Sequence, residues 1–285
     1  MAPPVRPLPE SLREGADKSL YIPEERGRER GSMLGRRGWL TAVAGVAAVS
    51  AAAAGGGAAP LGAAEGLAGA GRVVDITHAL GPQTPVWEAE VPLGEGHREL
   101  TESIKGGGLA NVSFFRFGAH TGTHVDAPCH FLQEYCDRGL GVEALDLETL
   151  MGPALVVDHP PGNVTADSLE ALPIPPGTER LLLRTENTSR GLMRRQAFER
   201  GYAGVTRDGA EWLVQHGVRL IGVDYLSVAA MGHLVETHRT LLGAEVVILE
   251  GLDLDAPAAG LWDLAALPAK IQGSDGAPLR AVLRR

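Results

Sequence analysis

The run "FGAHTGTHVDAPCHF", residues 117–131, gathers His120, His124, Asp126 and His130 in a stretch without lysine or arginine, and it uses three of the chain's nine histidines. Imidazole and carboxylate groups at this spacing can do two kinds of chemistry. They can hold a divalent cation of borderline softness, Zn(II) as the best match and Mn(II) as the next. A histidine among them can also carry protons, since its ordinary pKa lies near neutrality. Read as an extended strand, the run alternates faces, so His120, Gly122, His124 and Asp126 project to one side and glycine leaves a gap between the rings. Read as a helix, His120 and His124 still share a face, but Asp126 points elsewhere. Gly122, Pro128 and the β-branched Thr and Val residues also oppose a helix. The strand reading therefore supports a metal more fully. Its rival is a histidine-rich strand end with no ligand. His130 falls on the same side if the extended run continues past Pro128, either as a further ligand or as a general base.

A cation with three protein ligands keeps positions open for water and substrate, as catalytic sites do. Further ligands must come from elsewhere. His238, in a helical stretch before a strand, and Glu250, closing the apolar run "VVILEG", are the candidates. A buried strand should not end in an unpaired carboxylate, although a solvated strand end is the alternative for Glu250. His233 reads as structural. Cys129 beside His130 raises a thiol–histidine hydrolase, but consecutive strand residues face opposite ways, which disfavours it. The non-catalytic rival is an exported module that binds metal without turnover.

The elements that must position these residues alternate in period from about Arg72 onward. "RVVDITHAL" starts as a strand, "GPQTPVWEAEVPLGEG" is a Pro/Gly loop carrying Trp87, and "NVSFFRFGAHTGTHVDAP" is β-rich up to Pro128. Further strands are expected at "PALVVDH", "ERLLLRT", "VRLIGVDY" and "AEVVILEG". Between them lie a short helix "TADSLEAL" capped by Thr165, a helix "DGAEWLVQHG" closed by Gly217, and a helix "HLVETHRTLLG". "PAKIQGSDGAPLRAVLRR" reads as a final hairpin or strand pair. The expectation is one α/β domain over 72–285 with a mixed sheet whose strand order the sequence leaves open.

The chain has 285 residues, with 44% hydrophobic and 21% charged residues, which suits a folded domain rather than a disordered one. A formal charge of −9 with no basic block near the histidine cluster argues against a nucleic-acid partner. The first 70 residues differ. Residues 1–32 are polar and Pro-rich, and read as disordered or as an over-extended start before Met33. Residues 33–64 place Arg36 and Arg37 before an Ala-rich apolar stretch, as a twin-arginine export signal does. That stretch is shorter than the roughly 20 residues a membrane span needs. The expected location is outside the cytoplasm, or the cytoplasm if the signal does not function. Cys129 and Cys136 are the two cysteines; seven residues apart they would close only a small loop, and the sequence favours free thiols over a disulfide.

"HTGTHVDAPCHF" resembles the His-x-Gly-Thr-His-x-Asp-x-Pro-x-His-Phe signature of the cyclase-like metal-dependent hydrolases, a family that includes bacterial kynurenine formamidase (arylformamidase) and isatin hydrolase. The resemblance runs from about Val73 to Arg285 and takes in "TPVW", "LLLRT", "GVDYLS" and the His238–Glu250 spacing. It implies a swivelling β/β/α fold and a homodimer with partner loops near the site. It also implies that His120, His124 and Asp126 bind a first metal and that Asp126 and Glu250 bridge to a second held also by His238. In the same way it makes His130 the general acid/base and packs Trp87 against a small aromatic substrate. The implied reaction is hydrolysis of an aryl formamide or cyclic amide. The export signal departs from the family's cytoplasmic role in tryptophan breakdown.

Overall fold

The computed structural model describes residues 71–285 apart from Ala89 and Val91, so the polar N-terminal stretch and the twin-arginine segment lie outside the described residues. Among the described residues, ten strands follow one another. They are β1 (Val73–Asp75), β2 (Arg98–Glu102), β3 (Val112–Phe115), β4 (His124–Asp126), β5 (Met151–Asp158), β6 (Arg180–Arg184), β7 (Leu220–Val223), β8 (Val247–Glu250), β9 (Gly260–Pro268) and β10 (Gly276–Arg284). The α-helices are α1 (Gln133–Asp137), α2 (Leu147–Leu150), α3 (Ala166–Glu170), α4 (Glu186–Ser189), α5 (Arg207–Gln215) and α6 (Leu234–Gly243). Thr165 caps α3 as expected, its side chain accepting from the Ser168 amide while Ser168 answers back to the Thr165 amide. Among the described residues no helix is long and apolar enough to cross a membrane.

Apart from the β2–β3 hairpin, the strands form one mixed sheet in the order β1-β10-β4-β8-β7-β6-β5-β9, and β9 pairs back onto β10. Seven strands therefore close into a barrel, with β1 added along β10. β5, β6, β7 and β8 run parallel, whereas β4, β9 and β10 join antiparallel. The final hairpin begins earlier than its sequence pattern suggests, at Gly260, and it closes the ring by pairing with both β5 and β10.

Period-two alternation sorts the side chains. Leu182, Leu249 and Val125 point inward with Trp262 and Ala281 in one buried cluster. Leu181, Leu183 and Ile248 point outward into a second cluster with Leu213 of α5 and Leu241 and Leu242 of α6. β4 obeys the same rule: Val125 goes in, so His124 and Asp126 go out, toward the helical layer.

Candidate metal centre

Strand register and one helical face assemble the cluster. β4 pairs with β8 so that His124 lies directly opposite Glu250. Both emerge on the outer face of the barrel. α6 buries Thr237, His238, Leu241 and Leu242, the one-sided spacing of an amphipathic helix, and His238 on that face reaches the two strands. His120 arrives differently. β4 is only three residues long, and the chain before it turns back at Gly122, whose φ of +66° favours glycine. A Cβ there would meet Leu80 at 2.4 Å. The strand expectation thus holds for His124 and Asp126 but not for His120, where Gly122 turns the chain rather than spacing a ladder. Nor does the extended run continue past Pro128: Pro128–His130 is a 3-10 turn, which swings His130 back over His120. Their rings stack with centroids 3.9 Å apart.

His124, Asp126, His238 and Glu250 are all buried. His124 donates Nδ1–H to the Gly122 carbonyl at 2.9 Å, and His238 donates Nδ1–H to the Leu234 carbonyl at 2.6 Å. Each ring therefore turns Nε2 toward the acids. His124 Nε2 lies 3.2 Å from Glu250 Oε2 and 3.5 Å from Asp126 Oδ1. His238 Nε2 lies 3.4 Å from Glu250 Oε1 and 3.8 Å from Asp126 Oδ2. The Val228 amide donates to Glu250 Oε1 at 2.6 Å and fixes that carboxylate. His120 Nδ1 meets Asp126 Oδ1 at 2.7 Å.

The electrostatics follow from burial set against opposite charge. Burial pushes His120 down, but the carboxylates of Asp126 and Asp275 outweigh it and raise its pKa to about 10. His124 is likewise lowered by burial yet raised overall, to about 9, by Asp126 and Glu250. Burial and Glu250 contend in the same way at His238, with a net rise. Asp126 and Glu250 are pushed up by burial, and the histidines around them bring both below the ordinary carboxylate range.

A divalent cation fits this set. His124 Nε2 and Asp126 Oδ2 are buried without a hydrogen-bond partner, a costly arrangement that an ion would satisfy. His120, His124 and Asp126 bring one donor atom each to within 4.8 Å of one another, as do Asp126, His238 and Glu250, and as do His120, His130 and Asp275. Asp126 belongs to the first two groups, so two adjacent ions sharing it are also compatible. Imidazole nitrogen with carboxylate oxygen suits a borderline ion.

The cluster floors a cavity of about 350 Å³. Trp87, Phe131, Leu226, Leu234 and Val235 line it with apolar surface, while His120, His130, His238, Glu250, Ser227 and Glu90 supply its polar lining. Trp87 packs edge-on against Phe198 at 4.6 Å, and Phe131 stacks on His238 at 4.2 Å.

Residues 74–230 match the model of the family described as "Putative cyclase". Cyclase-like protein 1 of Arabidopsis thaliana is 44% identical over 216 residues, covering 75% of this chain and 85% of the relative. The chain belongs to the cyclase family. Among solved structures, one titled as a potential metal-dependent hydrolase with cyclase activity aligns with a TM-score of 0.61 and 30% identity, over 74% of this chain and 96% of that one. An isatin hydrolase bound to the product analogue thioisatinate aligns with a TM-score of 0.63 and 26% identity, over 74% of this chain and 91% of that one. The cyclase-family chain thus has a metal-dependent-hydrolase-like fold, and its clustered histidines and carboxylates are compatible with a bound metal.

The structure brings together all the residues singled out in the sequence: His120, His124, Asp126, His130, His238, Glu250 and Trp87. His233 stays outside the cluster. Two findings were not anticipated. Cys129 and Cys136 form a disulfide. The 3-10 turn and the single-turn α1 coil the intervening chain so tightly that the two Cα atoms lie 4.5 Å apart, which a count of residues does not show. With Cys129 oxidised, the thiol–histidine reading loses its nucleophile. The second finding is Asp275, in the loop just before β10, whose Oδ2 accepts from His120 Nε2 at 2.9 Å and His130 Nδ1 at 3.2 Å. In "QGSDGAP" it reads as an ordinary turn aspartate, and no local signal ties it to a motif 145 residues away from it at His130.

Proposed function

We propose that the chain is a metal-dependent hydrolase that cleaves the C–N bond of an aryl formamide or a cyclic amide. One observation carries the reading: convergent imidazoles and carboxylates at the floor of an apolar cavity that His130 and Trp87 line. His120, His124, Asp126, His238 and Glu250 would hold one or two ions, Zn(II) as the best match and Mn(II) as the alternative. When bound, such an ion polarises a carbonyl and lowers the pKa of water. His130 takes the proton of the attacking water as its oxygen bonds to the carbonyl carbon. The same ring returns that proton to the nitrogen as the C–N bond breaks. Trp87 and Phe131 pack an aryl ring and exclude bulk water.

Cyclic amides are favoured within this class by the lining. Among the described residues, the cavity lining carries Glu90 and Glu250 and no lysine or arginine. An amino-acid side arm, such as N-formylkynurenine carries, would find no lysine or arginine among these residues for its carboxylate, whereas a neutral aryl lactam needs none. The likeness to isatin hydrolase supports the same choice.

The test is a hydrolysis panel of isatin, N-formylkynurenine and simple lactams before and after chelation, with Zn(II) or Mn(II) added back. Turnover that is lost on chelation and restored by metal is expected. No turnover on any of the three would sink the substrate class. His130→Ala should abolish turnover with metal content intact; parallel loss of metal would make His130 a ligand.

The proposed assembly is a homodimer. Every residue of strands β2 and β3 is exposed, including Leu100, Phe114 and Phe115, and a lone two-stranded hairpin is marginal in water. A second copy of this chain would cover it. The proposed location is outside the cytoplasm through the twin-arginine segment, and the disulfide supports an oxidising compartment.

A further inference from the structure

Among the described residues, Asp275 is the one carboxylate that hydrogen-bonds both His120 and His130. A single oxygen, Oδ2, accepts from His120 Nε2 and from His130 Nδ1. The loop that delivers it is fixed to the metal-side strand. The Ala127 amide donates to the Asp275 carbonyl at 2.9 Å, and Gly276 pairs with Asp126 across β10 and β4. Gly276 also makes room. A Cβ there would stand 2.5 Å from His120 Cε1 and 2.8 Å from the Val125 carbonyl oxygen, so the His120 ring lies directly on the glycine. Asp275 and Gly276 together form a cradle for His120, one by a hydrogen bond and one by the absence of a side chain.

The two nitrogens of His120 therefore have different duties. Nδ1 faces Asp126 inside the cluster, and Nε2 faces Asp275 outside it. A carboxylate on the far nitrogen of a ligand histidine fixes the ring's orientation and makes it a better donor. At His130 the same oxygen selects the tautomer with hydrogen on Nδ1, which leaves Nε2 for the cavity the ring lines. The stacking of the rings at 3.9 Å keeps both within reach of one acceptor.

We propose that Asp275 is a positioning residue that sets, through one oxygen, which nitrogen of His120 faces the metal cluster and which nitrogen of His130 faces the substrate. The half of this proposal that concerns His130 rests on the reading of that residue as proton carrier.

Asp275→Ala in the full chain tests it, with Zn(II) affinity measured by chelator competition and the His130 tautomer read from imidazole nitrogen shifts by NMR. Removing an outer carboxylate of this kind weakens metal affinity about 10- to 100-fold, with stoichiometry unchanged. The Nδ1–H signature of His130 should be lost with it. Asp275→Glu should recover part of both, and His130→Gln should leave Zn(II) affinity at the parental value. Parental affinity and tautomer in Asp275→Ala would overturn the proposal. So would loss of a whole zinc equivalent, which would make Asp275 a ligand. Should the alanine variant lose its circular-dichroism melt, Asp275→Asn takes its place with the same readouts. Neither readout needs a substrate, so both decide the proposal even if the chain hydrolyses no lactam.

Discussion

Zinc uptake by the metal-free chain should expel about two protons near pH 7. His120 faces a carboxylate oxygen from each ring nitrogen, Asp126 at 2.7 Å and Asp275 at 2.9 Å. A neutral imidazole has a single N–H, so only imidazolium can donate at both ends. The raised pKa values agree: about 10 at His120 and about 9 at His124, where opposite charge outweighs burial. Both rings are charged at neutral pH, and each must shed a proton before a nitrogen can ligate. Apparent affinity should therefore climb about 100-fold per pH unit from near neutrality, and more gently once the pH passes about 9. The sign for the metal-free fold is opposite. A histidine raised above its ordinary value near 6.5 stabilises the folded chain below that value, and the contribution is lost as pH rises through 9 to 10. Metal thus binds best where protons support the empty site least. Calorimetric titration of Zn(II) in buffers of different ionisation enthalpy counts the protons directly, as the slope of observed heat against buffer enthalpy. His120→Gln should reduce the count by about one. A count near zero in the parent chain would refute the imidazolium–carboxylate description of the cluster.

Three further outcomes are expected. Gly276→Ala should weaken Zn(II) binding by at least about tenfold in a folded protein, since the new methyl meets both the His120 ring and the backbone oxygen of Val125; an unchanged chelator titration would deny the cradle. Reducing the Cys129–Cys136 disulfide, whose cysteines are seven residues apart, should cost about 2.5 kcal/mol by loop-closure entropy, read from denaturant unfolding with and without reductant. If the chain forms the proposed homodimer, Phe114→Glu on the exposed hairpin should shift it to monomer by light scattering with its melting temperature little changed, and an unaffected dimer would place the interface elsewhere.

Much of the site was legible because its parts obey local rules. Strand alternation alone puts His124 and Asp126 on one face, and an amphipathic period alone puts His238 on the buried side of α6. The apolar run ending in Glu250 marks a carboxylate that must find partners. Three things were not legible, each because it depends on distant chain. His120 leaves the strand because Gly122 takes a left-handed turn against Leu80, a contact with another segment. The barrel closes because β9 pairs with both β5 and β10, which no periodicity encodes. Asp275 joins the site through the β10–β4 register, where a one-residue slip would send it to the other face.

The position of the ligands along the chain bears on when a metal can enter. β5 to β8 are parallel neighbours joined through short helices, and they can associate as the chain emerges. β4 reaches β8 only by spanning more than a hundred residues, from Asp126 to Ile248. Closing so long a loop is slow, so this seam is expected to zip late. Three of the proposed ligands, His124, Asp126 and Glu250, sit on that seam, so a half-zipped chain would not yet bring the set together. Whichever compartment hosts the final zipping therefore selects the metal, since the site itself ranks divalent ions by their general affinity order. A chain that folds before export would leave the cell already loaded from the cytoplasmic pool and would gain its disulfide only afterwards.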